Sequence, residues 1–427
     1  MEFYKETNFK ETPIGKIPRE WDIVKLEAVA SVSAGGNAPQ GEKYFRNGKY
    51  PFIRVQHFDG NKIYVDKWDL INDEAVKDYN LKLFPKNSIV FPKSGAAINL
   101  EKRAMLPFDS YVVNHLCVLV AKSEIIDSKF LFYIMKKTNL SRSSAGTTLP
   151  YLNLKTISKI PLPLPSLVEQ RGIVEVLSVV DLAIQKTDEI IAKTERLKKG
   201  LMQTLLTKGI GHKEFKETPI GKIPKTWKVV KLGEVLTDVK YGTSVKSNKN
   251  GIGVPILGIP NVLRGEIDKS NLRYVKLSKK EQESLMLKSG DILLVRTNAN
   301  PEYIGRCALF EEKRGAWVYA SYLIRIRVDQ EKVTPEYLVK YLQSEKARKQ
   351  FLSIARTSAG NYNINTKGIK SIIACLPPIP EQQKIANILL TIDKKLKLER
   401  NKKAKLEKIK KGFMDLLLTG KVRVKVK

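Results

Sequence analysis

Residues 162–181 read LPLPSLVEQRGIVEVLSVVD, and residues 376–393 read LPPIPEQQKIANILLTID. In both stretches a cluster of prolines ends an apolar strand pattern, because proline cannot donate a backbone hydrogen bond to a neighbouring strand. A Glu-Gln pair follows, beginning at Glu169 and at Glu381, and an apolar helical pattern starts there. The chain therefore contains the same strand-to-helix junction twice.

The two predicted helices also end on nearly the same words. KKGLMQTLLTKG at 198–209 returns as KKGFMDLLLTGK at 410–421. We expect one helix over about 168–207 and a second over about 381–419, each roughly 55–60 Å long at a rise of 1.5 Å per residue.

The beginnings of the two halves repeat as well. FKETPIGKIP at 9–18 returns letter for letter at 215–224, and each copy continues to a tryptophan, Trp21 or Trp227. Each half is therefore predicted to be a globular domain followed by a long helix. The predicted division is 1–165 for the first domain, 166–212 for the first helical spacer, 213–378 for the second domain and 379–427 for the second spacer.

Within each half, β-branched runs alternate with shorter helical patterns. We predict a first strand over 22–34, a helix over 128–140, and a matching single helix over 334–352. The apolar segments agree between the halves, whereas the loops between them differ. The predicted fold class is α/β (α+β), with two tandem mixed domains separated by two long helices that form a pseudo-two-fold symmetric, antiparallel coiled coil.

The coiled coil is predicted from apolar residues that recur at steps of three and four along both helices. The first helix has such residues at Ile173, Val176, Val180, Ala183, Thr187, Ile190, Thr194, Leu197 and Leu201. The second has them at Ile385, Ile388, Ile392, Leu406, Ile409, Phe413 and Leu416, with a charged interruption near Glu399. The main contacts between the helices are predicted at Ile173, Val180, Leu197, Leu201, Ile385, Ile392, Ile409 and Phe413.

Connectivity predicts the direction of the pairing. The first helix leads from domain one to domain two, and the second begins at domain two. If they pair along their length, the second must run back toward domain one, so the pair is antiparallel. The alternative is that each helix packs separately on its own domain.

Composition indicates a polyanionic ligand. The 427 residues include 76 Lys and Arg against 44 Asp and Glu, a formal net charge of +32, and the sequence pI is near 9.8. A lysine-rich proteome is the alternative explanation, but acidic residues have not risen with the basic ones. The charge favours binding to nucleic acid.

The sequence suggests a cytoplasmic setting. No apolar run approaches the 18 or more residues of a membrane span, and the first residues lack the apolar core of a signal peptide. Cys117, Cys307 and Cys375 are far apart and fit neither a disulfide framework nor a zinc pattern, so we expect buried free thiols in a reducing compartment.

Signs of catalysis are weak. The NPEY at 300–303 resembles the Asn-Pro-Pro-Tyr motif of amino-methyltransferases, in which the asparagine holds the target amine. Glu302 replaces the second proline, no glycine-rich turn for a methyl donor lies nearby, and the first half lacks the motif. A surface turn that presents Asn298, Asn300 and Tyr303 to a ligand is the preferred interpretation. We find no phosphate-binding loop, and no histidine spacing or acidic cluster typical of a metal site.

Basic and amide residues in the variable loops are the candidates for DNA recognition. Arginine reads guanine and asparagine reads adenine through paired hydrogen bonds in the major groove. The alternative for many of them is contact with phosphate or solvent alone. The candidates are Lys43, Arg46, Lys93, Ser94, Arg142, Thr147 and Tyr151 in the first half, and Lys246, Asn248, Arg264, Arg296, Asn298, Asn300, Arg306, Arg356, Asn361 and Tyr362 in the second.

The two proline-Glu-Gln junctions, the IPREW and IPKTW openings, and the AGTTLPYLNLKTISKIPLPLP and SAGNYNINTKGIKSIIACLPPIP exits resemble the specificity (S) subunits of type I restriction-modification enzymes. The resemblance covers essentially the whole chain. It implies two target recognition domains, each reading one half of a split site in double-stranded DNA, with the coiled coil setting the gap.

The same resemblance implies a non-catalytic subunit without a bound cofactor. Its partners would be methyltransferase (M) subunits, probably two, which methylate adenine using S-adenosylmethionine, and in some complexes a restriction (R) motor-nuclease subunit. The family has no fixed base-contacting motif to transfer, so the residue candidates remain those from chemistry. Two other interpretations stay open: a single-chain enzyme using NPEY, and an RNA-binding scaffold or protein-interaction module.

Overall fold

The computed structural model describes residues 2–60, 62–141, 150–312, 314–358 and 360–425. These residues form two compact units, Met1–Asp188 with Lys402–Lys427, and Glu189–Asn401. Each unit contains one globular part together with a portion of both long helices. The units divide the chain within the helices, so the four-segment division made from the sequence stays a prediction.

Each half contains five α-helices among the described residues, and the last of each five is the long one. Their bounds are α1 Leu26–Val29, α2 Asp73–Asp78, α3 Ser128–Lys137, α4 Leu154–Ser158, α5 Leu167–Lys208, α6 Lys279–Leu285, α7 Pro335–Leu342, α8 Glu345–Ile354, α9 Thr366–Ser371 and α10 Ile379–Leu417. The long helices α5 and α10 begin at the repeated junctions, which confirms the helices expected there.

The first unit contains fourteen short strands among the described residues. They are β1 Phe3–Lys5, β2 Phe9–Lys10, β3 Ile17–Pro18, β4 Asp22–Lys25, β5 Ala30–Ala34, β6 Tyr50–Ile53, β7 Asp69–Ile71, β8 Leu83–Phe84, β9 Ile89–Pro92, β10 Ala104–Met105, β11 Ser110–Val112, β12 Leu116–Ala121, β13 Pro161–Leu164 and the C-terminal β28 Val422–Val424.

The strands of the second unit follow the same plan. They are β14 Phe215–Lys216, β15 Ile223–Pro224, β16 Lys228–Lys231, β17 Leu236–Tyr241, β18 Val254–Leu257, β19 Arg273–Val275, β20 Ile292–Val295, β21 Thr297–Asn298, β22 Cys307–Leu309, β23 Val318–Tyr319, β24 Leu323–Val328, β25 Arg356–Ser358, β26 Asn361–Asn363 and β27 Ile373–Leu376.

Each unit has an antiparallel four-stranded sheet and a second, mixed sheet. The antiparallel sheets have the orders β10-β9-β12-β5 and β17-β24-β20-β22. The mixed sheets are β7-β6-β11-β8 and β19-β18-β23, in which β6 pairs parallel to β11 and β18 parallel to β23. Buried apolar side chains of both sheets and of the packed helices form the core of each unit. The predicted mixed α/β fold is confirmed.

Two sequence predictions of single elements were wrong. Residues 22–34 form β4, the short helix α1 and β5 rather than one strand, because Leu26 and Val29 turn inward and are buried. Residues 334–352 form α7 and α8 rather than one helix. The break occurs at Ser344, whose hydroxyl accepts a hydrogen bond from the N–H of Ala347 and caps the new helix.

The letter-for-letter repeats form the same hairpin in both units. Phe9 pairs with Pro18 in one, and Phe215 pairs with Pro224 in the other. The tryptophan that follows each hairpin is buried, with exposed fractions of 1% and 0%.

A glutamate carboxylate, buried at Glu169 and half-buried at Glu381, joins each tryptophan to the start of a long helix. The indole N–H of Trp21 donates to Glu169 over 3.0 Å, and that of Trp227 donates to Glu381 over 3.1 Å. Because a buried indole N–H and a buried carboxylate both need partners, each glutamate fixes where its helix begins relative to the hairpin.

The adjacent glutamine of each pair attaches the junction to the domain helix. Gln170 accepts from the N–H of Asp127, and Gln382 accepts from the N–H of Thr334, over 2.8 and 2.9 Å. Asp127 and Thr334 are the residues that cap α3 and α7. The Glu-Gln pair therefore connects three elements in each half.

Each long helix ends beside one of the two tryptophan-glutamate contacts. Helix α5 ends beside Trp227 and Glu381, and α10 ends beside Trp21 and Glu169. Both helices are followed by a glycine with positive φ, Gly209 and Gly420. A Cβ at Gly420 would lie 2.3 Å from Pro18, and one at Gly209 would lie 2.8 Å from Trp227. Neither close approach leaves room for a side chain, which explains glycine at these two positions.

The following segment then places a basic residue on the glutamate. Arg423 donates two hydrogen bonds of 2.9 Å to Glu169, and His212 lies 2.8 Å from Glu381. In the first unit this segment is β28, which pairs with the N-terminal β1.

The portions of α5 and α10 within each unit run antiparallel. In the first unit Asp181 pairs with Lys410 and Asp188 with Lys403, over 2.5 and 2.7 Å. In the second unit Glu195 pairs with Arg400 and Lys198 pairs with Asp393, both over 2.6 Å. Residue numbers again rise along α5 while they fall along α10, as in an antiparallel pair.

The residues predicted as main contacts between the helices differ in burial. Ile173, Val180 and Ile385 are buried, while Leu201, Ile392 and Phe413 are half-buried. Leu197 and Ile409 are 55% and 47% exposed, so their prediction as seam residues was wrong.

In both cases the next residue, a lysine, faces the partner helix. Lys198 pairs with Asp393, and Lys410 pairs with Asp181. The sequence pattern favoured Leu197 and Ile409 because they are apolar. A step of four from Thr194 or from Leu406 instead places Lys198 or Lys410 on the seam, where an aspartate of the other helix neutralises the lysine.

Each of these two aspartates also binds the domain helix beside it. Asp181 accepts a hydrogen bond of 2.6 Å from the hydroxyl of Tyr133 on α3. Asp393 pairs over 2.5 Å with Lys340 on α7, whose side chain is only 5% exposed. Burial opposes ionisation of Asp393, but Lys340 and Lys198 outweigh it and lower the pKa of that carboxyl.

We expect Asp393→Asn to destabilise the protein by about 3–5 kcal/mol, because it leaves the buried ammonium of Lys340 without a countercharge. Asp181→Asn is the matched control. It should cost less, about 1–2 kcal/mol, because the ammonium of Lys410 that it leaves unpaired is 18% exposed against 5% for Lys340, and asparagine still accepts from the Tyr133 hydroxyl. Chemical denaturation of both variants measures the difference, and equal losses would contradict it.

The pH dependence should follow the same contact. Because the folded pKa of Asp393 is lowered, its stabilisation is present above the unfolded pKa and is lost as the pH falls through the folded value. Wild type should therefore lose stability on acidification more steeply than Asp393→Asn, as measured by denaturation midpoints between pH 7 and roughly pH 3. Parallel curves would refute this linkage.

Candidate nucleic-acid interface

The two units build one backbone arrangement at the end of the antiparallel sheet. In the first unit the N–H of Lys93 donates to the carbonyl of His115 over 2.9 Å, and the N–H of Leu152 donates to Lys93 over 2.7 Å. In the second unit Arg296 donates to Tyr322 over 3.0 Å, and Ile364 donates to Arg296 over 2.8 Å. We call this arrangement the crossing, because three chain segments meet there.

A fourth segment enters both crossings in the same way. Gly36 lies between the backbones of Val112 and Asn114, which it binds over 2.8 and 2.7 Å. Thr243 makes the equivalent bonds of 3.0 and 2.7 Å in the second unit. Equivalent backbone bonds therefore hold different side chains in the two units.

The crossing of the first unit collects three of the candidates predicted from the sequence. Lys93 and Ser94 are neighbours there, and Ser94 pairs by a β-bridge with Tyr151, which is 52% exposed. The hydroxyl of Ser94 lies 2.8 Å from Nδ1 of His115. Next to this pair, the side-chain amide of Asn114 donates to Asn37 over 2.7 Å.

The crossing of the second unit is larger. Here β21, β26 and β25 form a three-stranded sheet that carries five of the candidates or lies next to them. These five are Arg296, Asn298, Arg356, Asn361 and Tyr362.

Arg296 has a defined support in this sheet. Its guanidinium lies 4.7 Å from the ring centroid of Tyr241, a cation–π contact. One of its terminal nitrogens donates to the carbonyl of Ser321 over 3.4 Å, and its buried Nε has no partner among the described residues. The equivalent of Tyr241 in the first unit is Ala34, so this position gives Lys93 no such platform, and no ring of the described residues lies over it.

Two candidates of the first half lie away from its crossing. Lys43 pairs with Glu74 over 2.7 Å, and Arg46 pairs with Glu42 over 3.5 Å, both on the surface. Exposed ion pairs of this kind contribute little to stability, so both basic groups can exchange partners.

Four candidates of the second half are also dispersed. Lys246 is exposed, whereas the side chain of Asn248 is taken up by hydrogen bonds to Ile252 and Tyr274. Arg264 lines a groove of about 1100 Å³ beside the long helices. Arg306 donates to the carbonyl of Glu302 over 2.8 Å.

The NPEY turn uses its amides structurally. Asn300 accepts from the N–H of Glu302 over 2.9 Å and caps a 3₁₀ turn over Pro301–Tyr303. Asn298 accepts from the N–H of Asn300 over 2.8 Å, and Tyr303 is half-buried against the core. Both side-chain carbonyls are engaged, which weakens the interpretation of this turn as a ligand-presenting surface.

Arg142 and Thr147 lie outside the residues that the structure describes. His115, Tyr241 and Tyr322 were missed by the sequence analysis, although each lies at a crossing. His115 and Tyr322 follow variable residues at the start of a strand, and that position is the only signal that could have singled them out.

The cysteines and the acidic and histidine side chains give no sign of a reactive or metal-binding site among the described residues. The three cysteines are buried and free, as predicted, and burial raises the pKa of Cys307 to about 12 and that of Cys375 to about 11. Within the described ranges, no three His, Cys, Asp or Glu residues lie close enough to hold a metal ion. Over the same ranges, no helix is both long and apolar enough to cross a membrane.

The sequence matches a family model described as the type I restriction modification DNA specificity domain, over residues 18–196 and 224–408. It is similar to the type I restriction enzyme MjaVIII specificity subunit of Methanocaldococcus jannaschii, with 32% identity over 100% of this chain and 98% of that protein. It is also similar to the EcoKI specificity subunit of Escherichia coli K12, with 26% identity over 87% of this chain and 82% of that protein.

Two solved structures share the fold. The crystal structure of a type I restriction-modification S subunit from M. genitalium has a TM-score of 0.61 and 16% identity, covering 93% of this chain and 96% of that chain. A chain from a study of the assembly and conformational transition of the type I restriction-modification system has a TM-score of 0.54 and 19% identity, covering 95% and 99%.

We expect Arg296→Ala to lower affinity about tenfold or more for duplexes with one particular sequence block and to spare other duplexes, because a supported guanidinium is suited to paired hydrogen bonds with guanine. Arg19→Ala, at an exposed position directly after β3, is the control and should change affinity little. Competition binding at a fixed salt concentration measures both. Equal weakening by Arg296→Ala on every duplex would instead identify a phosphate contact.

Proposed function

Because the chain belongs to the family of type I restriction modification DNA specificity domains, we propose that each of its two units reads one half of a bipartite site in double-stranded DNA. The observation that carries this proposal is the crossing, built twice by the same backbone bonds with different exposed side chains. One scaffold with two surfaces suits a protein that reads two different short sequences.

The charge of the chain supports the proposal. An excess of 32 positive charges favours association with a polyanion and makes the affinity depend on salt. At the crossings, Lys93 and Arg296 hold equivalent positions, so each surface carries a cation beside hydrogen-bonding side chains. Basic groups bind phosphate, and the neighbouring polar groups can read base edges.

The long helices are proposed to set the gap between the half-sites. Helices α5 and α10 are continuous over 42 and 39 residues, roughly 60 Å at 1.5 Å per residue. Paired ions and a seam of steps of three and four would keep their register fixed. A rigid spacer of this length permits half-sites separated by about one turn of DNA, roughly 34 Å.

The chain itself is proposed to be non-catalytic. The methyl transfer would be done by two methyltransferase subunits that the chain recruits, and these partners, rather than this chain, would bind S-adenosylmethionine. A restriction subunit with motor and nuclease activity could join the same complex. The NPEY turn, the feature nearest to a methyltransferase motif, has both asparagine carbonyls engaged by its own backbone, which favours the non-catalytic role.

The direct test is a selection from random duplexes by the full chain in complex with its methyltransferase subunit. We expect a motif of two short fixed blocks around an unspecified gap, at a stated salt concentration. A single continuous block, or no block, would contradict separate reading by the two units. Stronger competition by duplex RNA than by DNA would favour the RNA-scaffold alternative.

A deletion tests the spacer. Removing 186–192 from α5 together with 399–405 from α10 takes out one heptad from each helix, and with it both partners of the Asp188–Lys403 pair. The seam keeps its phase, since a heptad rotates a helix by only about 20°. We expect the selected gap to shorten by about three base pairs, because seven residues rise about 10 Å and base pairs stack at about 3.4 Å.

The control replaces the same two segments with other heptads of equal length and matched seam residues. It should leave the gap and both blocks unchanged. If the deletion variant binds DNA with the original gap, the helices do not act as the spacer.

A further inference from the structure

We propose that His115 and Tyr322 are base-reading residues of the first and second units. This inference rests on the proposed function and assigns residues that determine its specificity. The two residues hold equivalent places: the carbonyl of each accepts from the residue at the end of β9 or β20, over 2.9 and 3.0 Å. His115 directly precedes β12 and Tyr322 directly precedes β24, which are inner strands of the two antiparallel sheets.

His115 and Tyr322 can be compared directly, because the backbone around them is hydrogen-bonded in the same way in the two units. The crossing holds both residues by equivalent backbone hydrogen bonds, so their side chains start from equivalent places in the two units. Side chains that differ at these places can therefore give the two units different base preferences. The change from imidazole to phenol at this position alters shape, polarity and hydrogen-bonding groups together.

The His115 ring is exposed and its orientation is fixed. Its Nδ1 lies 2.8 Å from the hydroxyl of Ser94, which itself follows Lys93 at the crossing. Since Nδ1 is engaged, Nε2 is the ring nitrogen left for a ligand. A ring held in one orientation loses little freedom on binding and offers one hydrogen-bonding atom to a base edge.

Tyr322 is 58% exposed, and its hydroxyl makes no hydrogen bond to another part of the chain that the structure describes. It is joined through its backbone to Arg296, whose guanidinium rests on Tyr241. An exposed aromatic ring beside a supported arginine offers an apolar face to a thymine methyl group, and a hydroxyl that can donate or accept.

A repeated loop sequence supplies the contrast. Arg-Ser-Ser-Ala-Gly at 142–146 and Arg-Thr-Ser-Ala-Gly at 356–360 are nearly identical in the two halves. Groups that are the same in both units cannot distinguish two different half-sites, so this sequence suits contacts shared by both, such as phosphate. Discrimination then falls to positions that differ, and His115 and Tyr322 are such a pair.

The experiment exchanges the two side chains. His115→Tyr and Tyr322→His are made separately in the full chain, and each is used in random-duplex selection as the complex with the methyltransferase subunit. We expect each exchange to change the preferred base at one position of one block, with about a ten- to hundredfold loss of discrimination there. The other block should be unchanged, which also shows that the variant has folded.

Arg19→Ala is the matched control, because Arg19 is exposed directly after β3, outside the crossing and outside the DNA-recognition candidates. It should leave both blocks as in wild type. A wild-type motif with one block per unit that neither exchange alters would overturn this inference while leaving the proposed function intact. Absence of a bipartite motif in wild type would overturn the proposed function first.

Milder variants decide the case in which an exchange abolishes all binding. His115→Gln keeps a hydrogen-bonding side chain, and Tyr322→Phe removes only the hydroxyl. A change confined to one position of one block supports base reading. Uniform weakening of both blocks, or no change in either, rejects it.

Discussion

A hydrogen bond from a buried indole to a buried or half-buried glutamate fixes the start of the long helix in each half of this protein. Trp21 donates to Glu169, and Trp227 donates to Glu381. Both groups would be costly to bury alone, so each pair constrains the start of a long helix to the hairpin that opens its half. The neighbouring glutamine extends the constraint to the cap of the domain helix. In each half, the repeated hairpin segment thus leads to the tryptophan and the repeated junction supplies the glutamate of one hydrogen bond.

A single acidic residue also connects several elements where each long helix packs on its domain. An aspartate on the N-terminal part of each helix binds a lysine of the other long helix and a residue of the domain helix. Charged groups on a seam stabilise less than apolar ones, but they specify register, because a slip leaves an ammonium unpaired. A spacer that must hold one length benefits from specified register more than from added stability.

The crossing applies a related principle to recognition. Its backbone bonds recur in both units, whereas its side chains differ: Lys93 and His115 in one, Arg296 and Tyr322 in the other. Within the part of the chain that the structure describes, a tyrosine lies under the basic residue in the second unit and not in the first. The equivalent backbone hydrogen bonds position a chain segment at the sheet edge in the same way in both units. The side chains at a few positions of the crossing then determine which chemical groups are proposed to meet the DNA.

The sequence by itself determined the two-fold repeat, the mixed α/β class, both long helices and the family, because these depend on spacing and on repeated words. Only the tertiary structure decided which residues occupy the seam. Steps of three and of four both satisfy an apolar pattern near Leu197 and Ile409, and the choice of Lys198 and Lys410 depends on Asp393 and Asp181, which are far away in the sequence. It also decided which candidates meet, since Lys93, His115 and Tyr151 come together only through strand pairing, which local sequence does not encode.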